Sequence, residues 1–333
     1  MRITLKDISR ESGISICSVS QILNNKPKAA LLTPETHRKV RETAERLGYC
    51  RDELARAMAT GRTNVVAVVM PDCEYGMPIL SGIADEAAQY GLSIKLISGP
   101  FDKLDIVSAL REALSHRVVG LIVCGFRMEF MPELRRFQKT TKVPAVITKA
   151  DNVSEDFSNV ATDQIEGVRL AMEHLLQLGH RKIFCIGEEG YYHTIRKDEY
   201  TRIMEHAGLV PRVFGDNCYD EVCAANPDAV FCSHDGYAHK LLIHLYRKRL
   251  FVPDIFSVVG FGDLNSSGLT VPPLTTVHEP YYEVGVELLR CVHRQLDGYL
   301  AVENIKLPIE LVIRETTAPA GKSMATNKSF LKK

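Results

Sequence analysis

Residues 13–25, GISICSVSQILNN, gather three serines, a cysteine and a glutamine on one short stretch with helical spacing. Ser15, Ser18 and Ser20 bring hydroxyls, Gln21 brings one donor and one acceptor, and Ile16 and Cys17 bring small apolar surfaces. That set suits the edges of base pairs in a DNA major groove, where bulk would block approach and hydroxyls also reach phosphates. Catalytic patterns are missing from the chain. It contains no G-x-G-x-x-G after a strand, no G-x-x-x-x-G-K-[ST], no G-x-S-x-G and no H-E-x-x-H. His234 and Asp235 are adjacent rather than spaced to share a helix face. The nine cysteines are scattered singly, and the nearest pair, Cys218 and Cys223, has no histidine cluster beside it. They read as reduced thiols packed like small hydrophobes, so no metal, cofactor or enzymatic activity is expected.

The elements that must hold the residue 15–21 face are legible by period. Thr4 and Asp7 form a T-x-x-D capping box for a first helix, with Leu5, Ile8 and Ser12 on one face. Gly13 supplies the left-handed residue of a sharp turn. Ser15 caps a second helix in which Val19, Ile22 and Leu23 point inward, leaving Ile16, Cys17, Ser18, Ser20 and Gln21 outside. Thr33-Pro34 opens a third helix with a buried stripe of Val40, Ala44 and Leu47. Two short helices joined by a glycine turn and braced by a third make a helix-turn-helix. Charge agrees: the formal net charge is zero, yet residues 1–62 hold 12 basic against 7 acidic side chains, a basic head on a mildly acidic body. From these residues alone a three-helix cap on an enzyme, with merely solvated serines, remains an alternative.

Beyond residue 63 the pattern changes. Apolar runs at 64–70, 93–97, 118–124 and 143–148 alternate with helical stretches near 79–91 and 104–116. A second series, 183–187, 229–232 and 257–261, alternates with helices near 164–178, 197–207 and 236–249. Continuous apolar strands separated by helices predict parallel sheets covered on both faces, here two doubly wound lobes with a ligand cleft at the carboxyl ends of the strands. The N-terminus has no apolar run of signal-peptide length, and no stretch nears the roughly 18 apolar residues of a membrane span. A cytoplasmic protein is expected.

The segments TLKDISRESGISICSVSQILNN, TPETHRKVRETAERLGY and LARAMATGRTNVVAVVMPD resemble the amino-terminal part of the LacI/GalR family of bacterial transcriptional regulators. The likeness continues through DQIEGVRLAMEHLLQLGHRKIFCIG, FSVVGFGD, PPLTTVHEPYYEVG and LPIELVIRETT, in order and over nearly the whole chain. It implies a helix-turn-helix domain over 1–49, a hinge helix and linker over 50–62, and a body over 63–320 like a periplasmic binding protein. Lobe 1 would span about 63–161 and 278–310, lobe 2 about 162–277 and 311–320, with a polar tail at 321–333. Lobe crossings fall near 161–163, 276–279 and 310–320. The implied DNA contacts are Thr4, Ser15, Ile16, Cys17, Ser18, Ser20, Gln21 and Asn24, joined by Arg56 along the minor groove and Met58 as a wedge between base pairs. The loop NNKPKAALLT is about three residues longer than the family pattern and carries Lys26 and Lys28.

The same resemblance points to an effector set of Cys73, Tyr192, Arg196, His234, Asp235 and Asp263. Arg196 takes the place of an arginine that holds ligand oxygens bidentately. His234 stands where asparagine is usual, and Gly262 where an aspartate takes sugar hydroxyls. These departures weaken the case for a simple hexose and favour an uncharged, differently shaped or anionic effector, within a range of sugar, sugar acid or phosphorylated metabolite. Tyr191, Tyr192 and His193 offer flat faces. The expected protein is a dimeric repressor on a palindromic operator, because the tail lacks the heptads of a tetramerising helix. The competing expectation is a small-molecule binding protein with a vestigial head.

Overall fold

A computed structural model describes every residue except 1–2, 25–26, 51–62, 101–102, 126, 149–154, 189–190, 300 and 322–333. Arg56, Met58, Lys26 and nearly all of the tail lie outside the described residues. The chain divides into two units, Met1–Thr63 and Asn64–Lys333.

In the first unit the capping signals work as the sequence predicts. Helix α1, Leu5–Ser12, starts at Thr4: the Thr4 hydroxyl accepts from the Asp7 amide while the Asp7 carboxylate accepts from the Thr4 amide at 2.9 Å. Gly13 ends α1 at φ 67°, a left-handed backbone open to glycine without strain. The Ser9 hydroxyl donates to Ile14 O at 2.7 Å and pins the turn. Helix α2, Ile16–Leu23, is capped by Ser15, and α3, Pro34–Arg46, by Thr33. Ile8, Val19, Ile22, Val40 and Ala44 bury together between the three helices. Full burial of each large aliphatic chain contributes about 2 kcal/mol. The long loop forms a 3-10 turn, Pro27–Leu31, that drops Ala29 into this core and leaves Lys28 and Leu31 exposed.

The second unit carries two six-stranded sheets. The first contains β1 (Val65–Pro71), β2 (Ser93–Gly99), β3 (Gly120–Val123), β4 (Ala145–Ile147), β5 (Ser158–Thr162) and β11 (Asn304–Leu307), in the spatial order β11-β5-β4-β3-β1-β2. The second contains β6 (Ile183–Ile186), β7 (Val213–Phe214), β8 (Ala229–Cys232), β9 (Ser257–Gly262), β10 (Thr275–His278) and β12 (Glu310–Val312), ordered β12-β10-β9-β8-β6-β7. All pairings are parallel except β10 with β12. Side chains alternate across each strand. Ala67, Val69, Leu121 and Val123 build one core of the first sheet, and Val66, Val68, Ile122 and Val146 build another on its opposite face. In the second sheet Phe184, Val230 and Val258 face one core and Ile183, Phe231 and Val259 the other.

Helix α4, Gly76–Gln89, packs on helix α11, Tyr281–Leu296, with backbones almost touching. A Cβ at Gly82 would lie 2.0 Å from Tyr282 O, and one at Gly285 2.0 Å from Ile79 O. The chain passes between sheets three times: between Thr162 and helix α7 (Gln164–Gln177), between His278 and α11, and between Leu307 and Glu310. The sequence reading placed the stretch of α11 within lobe 1 without naming a helix there, and it did not separate β5, β10, β11 or β12. The helix expected near 197–207 begins earlier, as α8 over Tyr191–His206.

Candidate nucleic-acid interface and effector cleft

Helix α2 buries Val19 and Ile22 and turns Ile16 (43% exposed), Cys17 and Gln21 outward. Several of the small polar groups have local duties. The Ser15 hydroxyl accepts from the Ser18 amide at 3.2 Å and donates to the Ser18 hydroxyl at 2.9 Å. The Asn24 amide donates to Ser20 O and the Ser20 hydroxyl, closing the other end of the helix. Gln21 donates weakly to Cys17 Sγ at 3.4 Å, one turn back. A contact that weak is readily exchanged, so Ile16, Cys17 and Gln21 form a face with little committed bonding. Thr4 is held by Asp7 at the start of α1. The helix is thus built by its caps and left blank on its outer side, the arrangement a groove-reading helix requires.

In the second unit the carboxyl ends of both sheets converge on one site. Arg196, on α8, is 3% exposed. Its Nε donates to Gln164 Oε1 at 2.6 Å, Nη1 to Ser233 O at 2.6 Å and Nη2 to Glu279 Oε2 at 2.9 Å. The guanidinium lies 3.6 Å from the Phe261 ring centroid. Glu279 is equally engaged. Its Oε1 accepts from the Thr162 hydroxyl (2.8 Å) and Gln164 Nε2 (2.7 Å), and its Oε2 from Arg196 and the Tyr281 hydroxyl (2.7 Å). Burial by itself would raise the Glu279 carboxyl, but Arg196 and these donors outweigh it and hold the group below its ordinary range. Thr162, Gln164, Glu279 and Tyr281 all sit at lobe crossings, so this network ties the lobes at the hinge.

Aromatic rings line the surroundings. His234 caps helix α10, Asp235–Arg247, by accepting from the Gly236 amide through Nδ1 at 3.0 Å. His193 meets the Ser233 hydroxyl at 3.2 Å, and its ring lies 5.5 Å from Tyr237 and 6.1 Å from His234. Burial first, then the Arg196 charge, push His193 down to about 4 and His234 down to about 3, so both imidazoles are neutral at pH 7. From the first sheet come Tyr75, stacked on Tyr281 at 5.5 Å, and Cys73, bonded to Tyr75 and to Pro71 O. Burial raises the Cys73 thiol and pushes Cys124 up to about 12, which leaves neither as a thiolate. The Tyr192 hydroxyl bonds to Thr148, from the opposite lobe, and bridges the cleft. The side chain of Tyr191 lies outside the described residues.

The two aspartates of the sequence-derived set are occupied within lobe 2. Asp235 accepts from Thr276 and Ser267 hydroxyls (both 2.6 Å) and the Leu264 amide (2.9 Å), although burial still raises its carboxyl. Asp263 bridges Arg314 at 2.7 Å and His278 at 3.0 Å. Gly262, at φ 129°, brings its backbone close to Tyr281, whose hydroxyl would lie 3.3 Å from an added Cβ. The structure therefore clusters Tyr192, Arg196 and His234 with Cys73 nearby, and gives Asp235 and Asp263 partners of their own. Sequence reasoning missed Thr162, Gln164, Glu279, Tyr281, Tyr75 and Thr148. An acid directly after a short β-branched run, as in TTVHE, is the signal that could have drawn attention to Glu279.

A family model described as a periplasmic binding protein-like domain matches residues 172–317. Catabolite control protein A of Priestia megaterium is 27% identical over 338 residues, covering 95% of this chain and all of the relative. The crystal structure of the lac repressor dimer bound to operator and the anti-inducer ONPF superposes with a TM-score of 0.80 at 21% identity, covering 96% of this chain and 100% of that one. A LacI family transcriptional regulator from Enterococcus faecium with bound ribose superposes with a TM-score of 0.70 at 20% identity, covering 77% of this chain and 99% of that one. Among the described residues no helix is long and apolar enough to cross a membrane.

Proposed function

We propose that the chain is a DNA-binding transcriptional regulator of the LacI/GalR family, a repressor that grips a palindromic operator as a homodimer and is released or recruited by a small molecule in the interlobe cleft. It is a regulator and not an enzyme. The observation that carries the reading is α2: a doubly capped helix after a glycine turn whose outer residues Ile16, Cys17 and Gln21 have almost no bonding of their own. The lac repressor relative binds operator as a dimer, and the Enterococcus faecium relative holds ribose. By analogy the head of residues 1–49 reads the major groove, the hinge of 50–62 brings Arg56 and Met58 to the minor groove, and the body of 63–320 senses the effector. Ligand-dependent rotation of the lobes at the three crossings would change the spacing of two hinges, and so the affinity for two half-sites.

The test is a binding selection on random duplex DNA with the full chain, followed by anisotropy titrations at several salt concentrations. A two-fold symmetric consensus, and a steep fall of affinity with salt on nonspecific DNA, are expected. No enriched consensus together with a flat salt response would leave only a ligand-binding protein with a vestigial head.

A further inference from the structure

We propose that Glu279 is a built-in counter-ion that fills the anion position of Arg196 and restricts the effector cleft to uncharged ligands. The proposal rests on the reading of this cleft as the effector site, and it reverses what Arg196 suggests when taken alone. An unpaired arginine beside two histidines would favour an acid or a phosphate. Here the guanidinium directs one N–H from each nitrogen at a protein acceptor, and one of those acceptors is a carboxylate. The Glu279 carboxylate is itself saturated, two donors on each oxygen, and is 5% exposed. It is therefore not free to swing aside for an incoming anion without stranding Thr162, Gln164 and Tyr281.

The other basic groups near the site do not replace Arg196. His193 and His234 carry no charge at pH 7, and the His234 Nδ1 is spent as an acceptor. Its Nε2 then carries the proton and can donate to a neutral oxygen or ring nitrogen. Lys197 lines a groove with Glu188, Val213 and Phe214. Tyr75, Tyr192 and Tyr237 add flat faces and hydroxyls. Among the described residues this lining offers hydrogen bonds and stacking, and the buried charge of Arg196 is compensated by Glu279. A second anion within about 5 Å of Glu279, at the effective dielectric of a partly buried site, would be disfavoured by about a hundredfold.

Titration calorimetry on the full chain with inorganic phosphate tests this, run against Glu279→Gln and the double variant Glu279→Gln/Arg196→Gln. The wild type should show no saturable heat at millimolar phosphate. Glu279→Gln should gain saturable binding, tighter by about a hundredfold, and the double variant should lose it again. Saturable phosphate binding by the wild type, or no gain in Glu279→Gln, overturns the proposal. Should Glu279→Gln not fold, Glu279→Ala melted with acetate or acetamide decides instead: saturable stabilisation by acetate only supports the counter-ion role, and equal responses refute it. Operator affinity, measured with and without phosphate on Glu279→Gln, separates the two claims. Phosphate binding that leaves DNA affinity unchanged would count against the effector reading while the counter-ion role stands.

Discussion

Replacing Gly285 by alanine tests how closely the two lobe-1 helices α4 and α11 cross. The added Cβ would sit 2.0 Å from Ile79 O and 2.9 Å from Ile79 C and Ile83 N, all of them backbone atoms of a buried helix. No rotamer change relieves that contact, so the helices must part by about 1 Å, and their shared core of Ile79, Ile83, Leu288 and Leu289 loosens with them. Overpacking of this kind costs about 3 kcal/mol, and the better helix propensity of alanine offsets about 1 kcal/mol, leaving about 2 kcal/mol. For a domain of this size that lowers the melting temperature by roughly 4–8 °C. Gly82→Ala meets Tyr282 O at the same 2.0 Å and should match it. Because one displacement relieves both clashes, the double variant should lose clearly less than the sum of the singles. Gly215→Ala, with nothing within 4 Å of the new Cβ, is the control and should stay within about 0.5 kcal/mol of wild type. Calorimetric melting of the four variants gives the answer. A Gly285→Ala protein melting with the control would show that the helices do not approach as described.

Three further outcomes follow from the head, the hinge and the cleft. Gln21→Arg should shift the preferred pair in each half-site from A·T to G·C by about 1–3 kcal/mol per contact, because arginine donates twice to guanine whereas glutamine complements adenine; identical consensus sequences in a binding selection would show that Gln21 reads no base. Met58→Ala should weaken operator binding by about 1–3 kcal/mol and leave nonspecific binding nearly unchanged; equal losses on operator and random DNA would remove the wedge role. His234 is neutral in the fold with its value lowered to about 3, so its contribution is fully present above its ordinary value near 6.5 and lost as pH falls toward 3. His234→Asn, which keeps a capping acceptor for the Gly236 amide, should therefore reduce proton uptake on unfolding at pH 5 by about one; unchanged uptake would mean that His234 is already charged in the native state.

The head was legible almost to the residue because its signals are local: Thr4 with Asp7, Gly13, Ser15, and Thr33 with Pro34 each act within one turn. The central strands were legible because parallel strands buried on both faces read as unbroken apolar runs. Strand β5 was not, since SNVAT is half polar. Its Ser158 hydroxyl is satisfied by Gln295 and the Glu303 amide, which lie 137 and 145 residues downstream. Helix α11 carries the stripe Val284, Leu288, Leu289 and Val292. The sequence reading put the lobe crossing just before it, near 276–279, gave the stretch to lobe 1 and passed over the stripe. The hinge network shows the same limit more sharply. Nothing local to Glu279 tells that Thr162, Gln164 and Arg196 will reach it from 117, 115 and 83 residues away. The arginine was visible by resemblance, but its partner needed the fold.

The late position of β11 and β12 in the chain bears on how the protein is made. Each sheet ends on a strand drawn from residues 304–312, and the segment after β12 is stitched to the second sheet by the Val258 amide donating to Thr316 O and to the end of α7 by the Ala320 amide donating to Leu178 O. The edge of β5 that pairs with Asn304–Leu307 therefore stays bare on the ribosome until those residues emerge. At 5–20 residues per second that interval, counted from the start of β5, is roughly 7–30 s. The three-helix head contains no such long-range strand and has all its core residues by Ala44. A nascent chain thus presents a finished DNA-reading head well before it owns a finished sensor. Truncation before residue 304 would remove an edge strand from both lobes at once, even though the two sheets are separate.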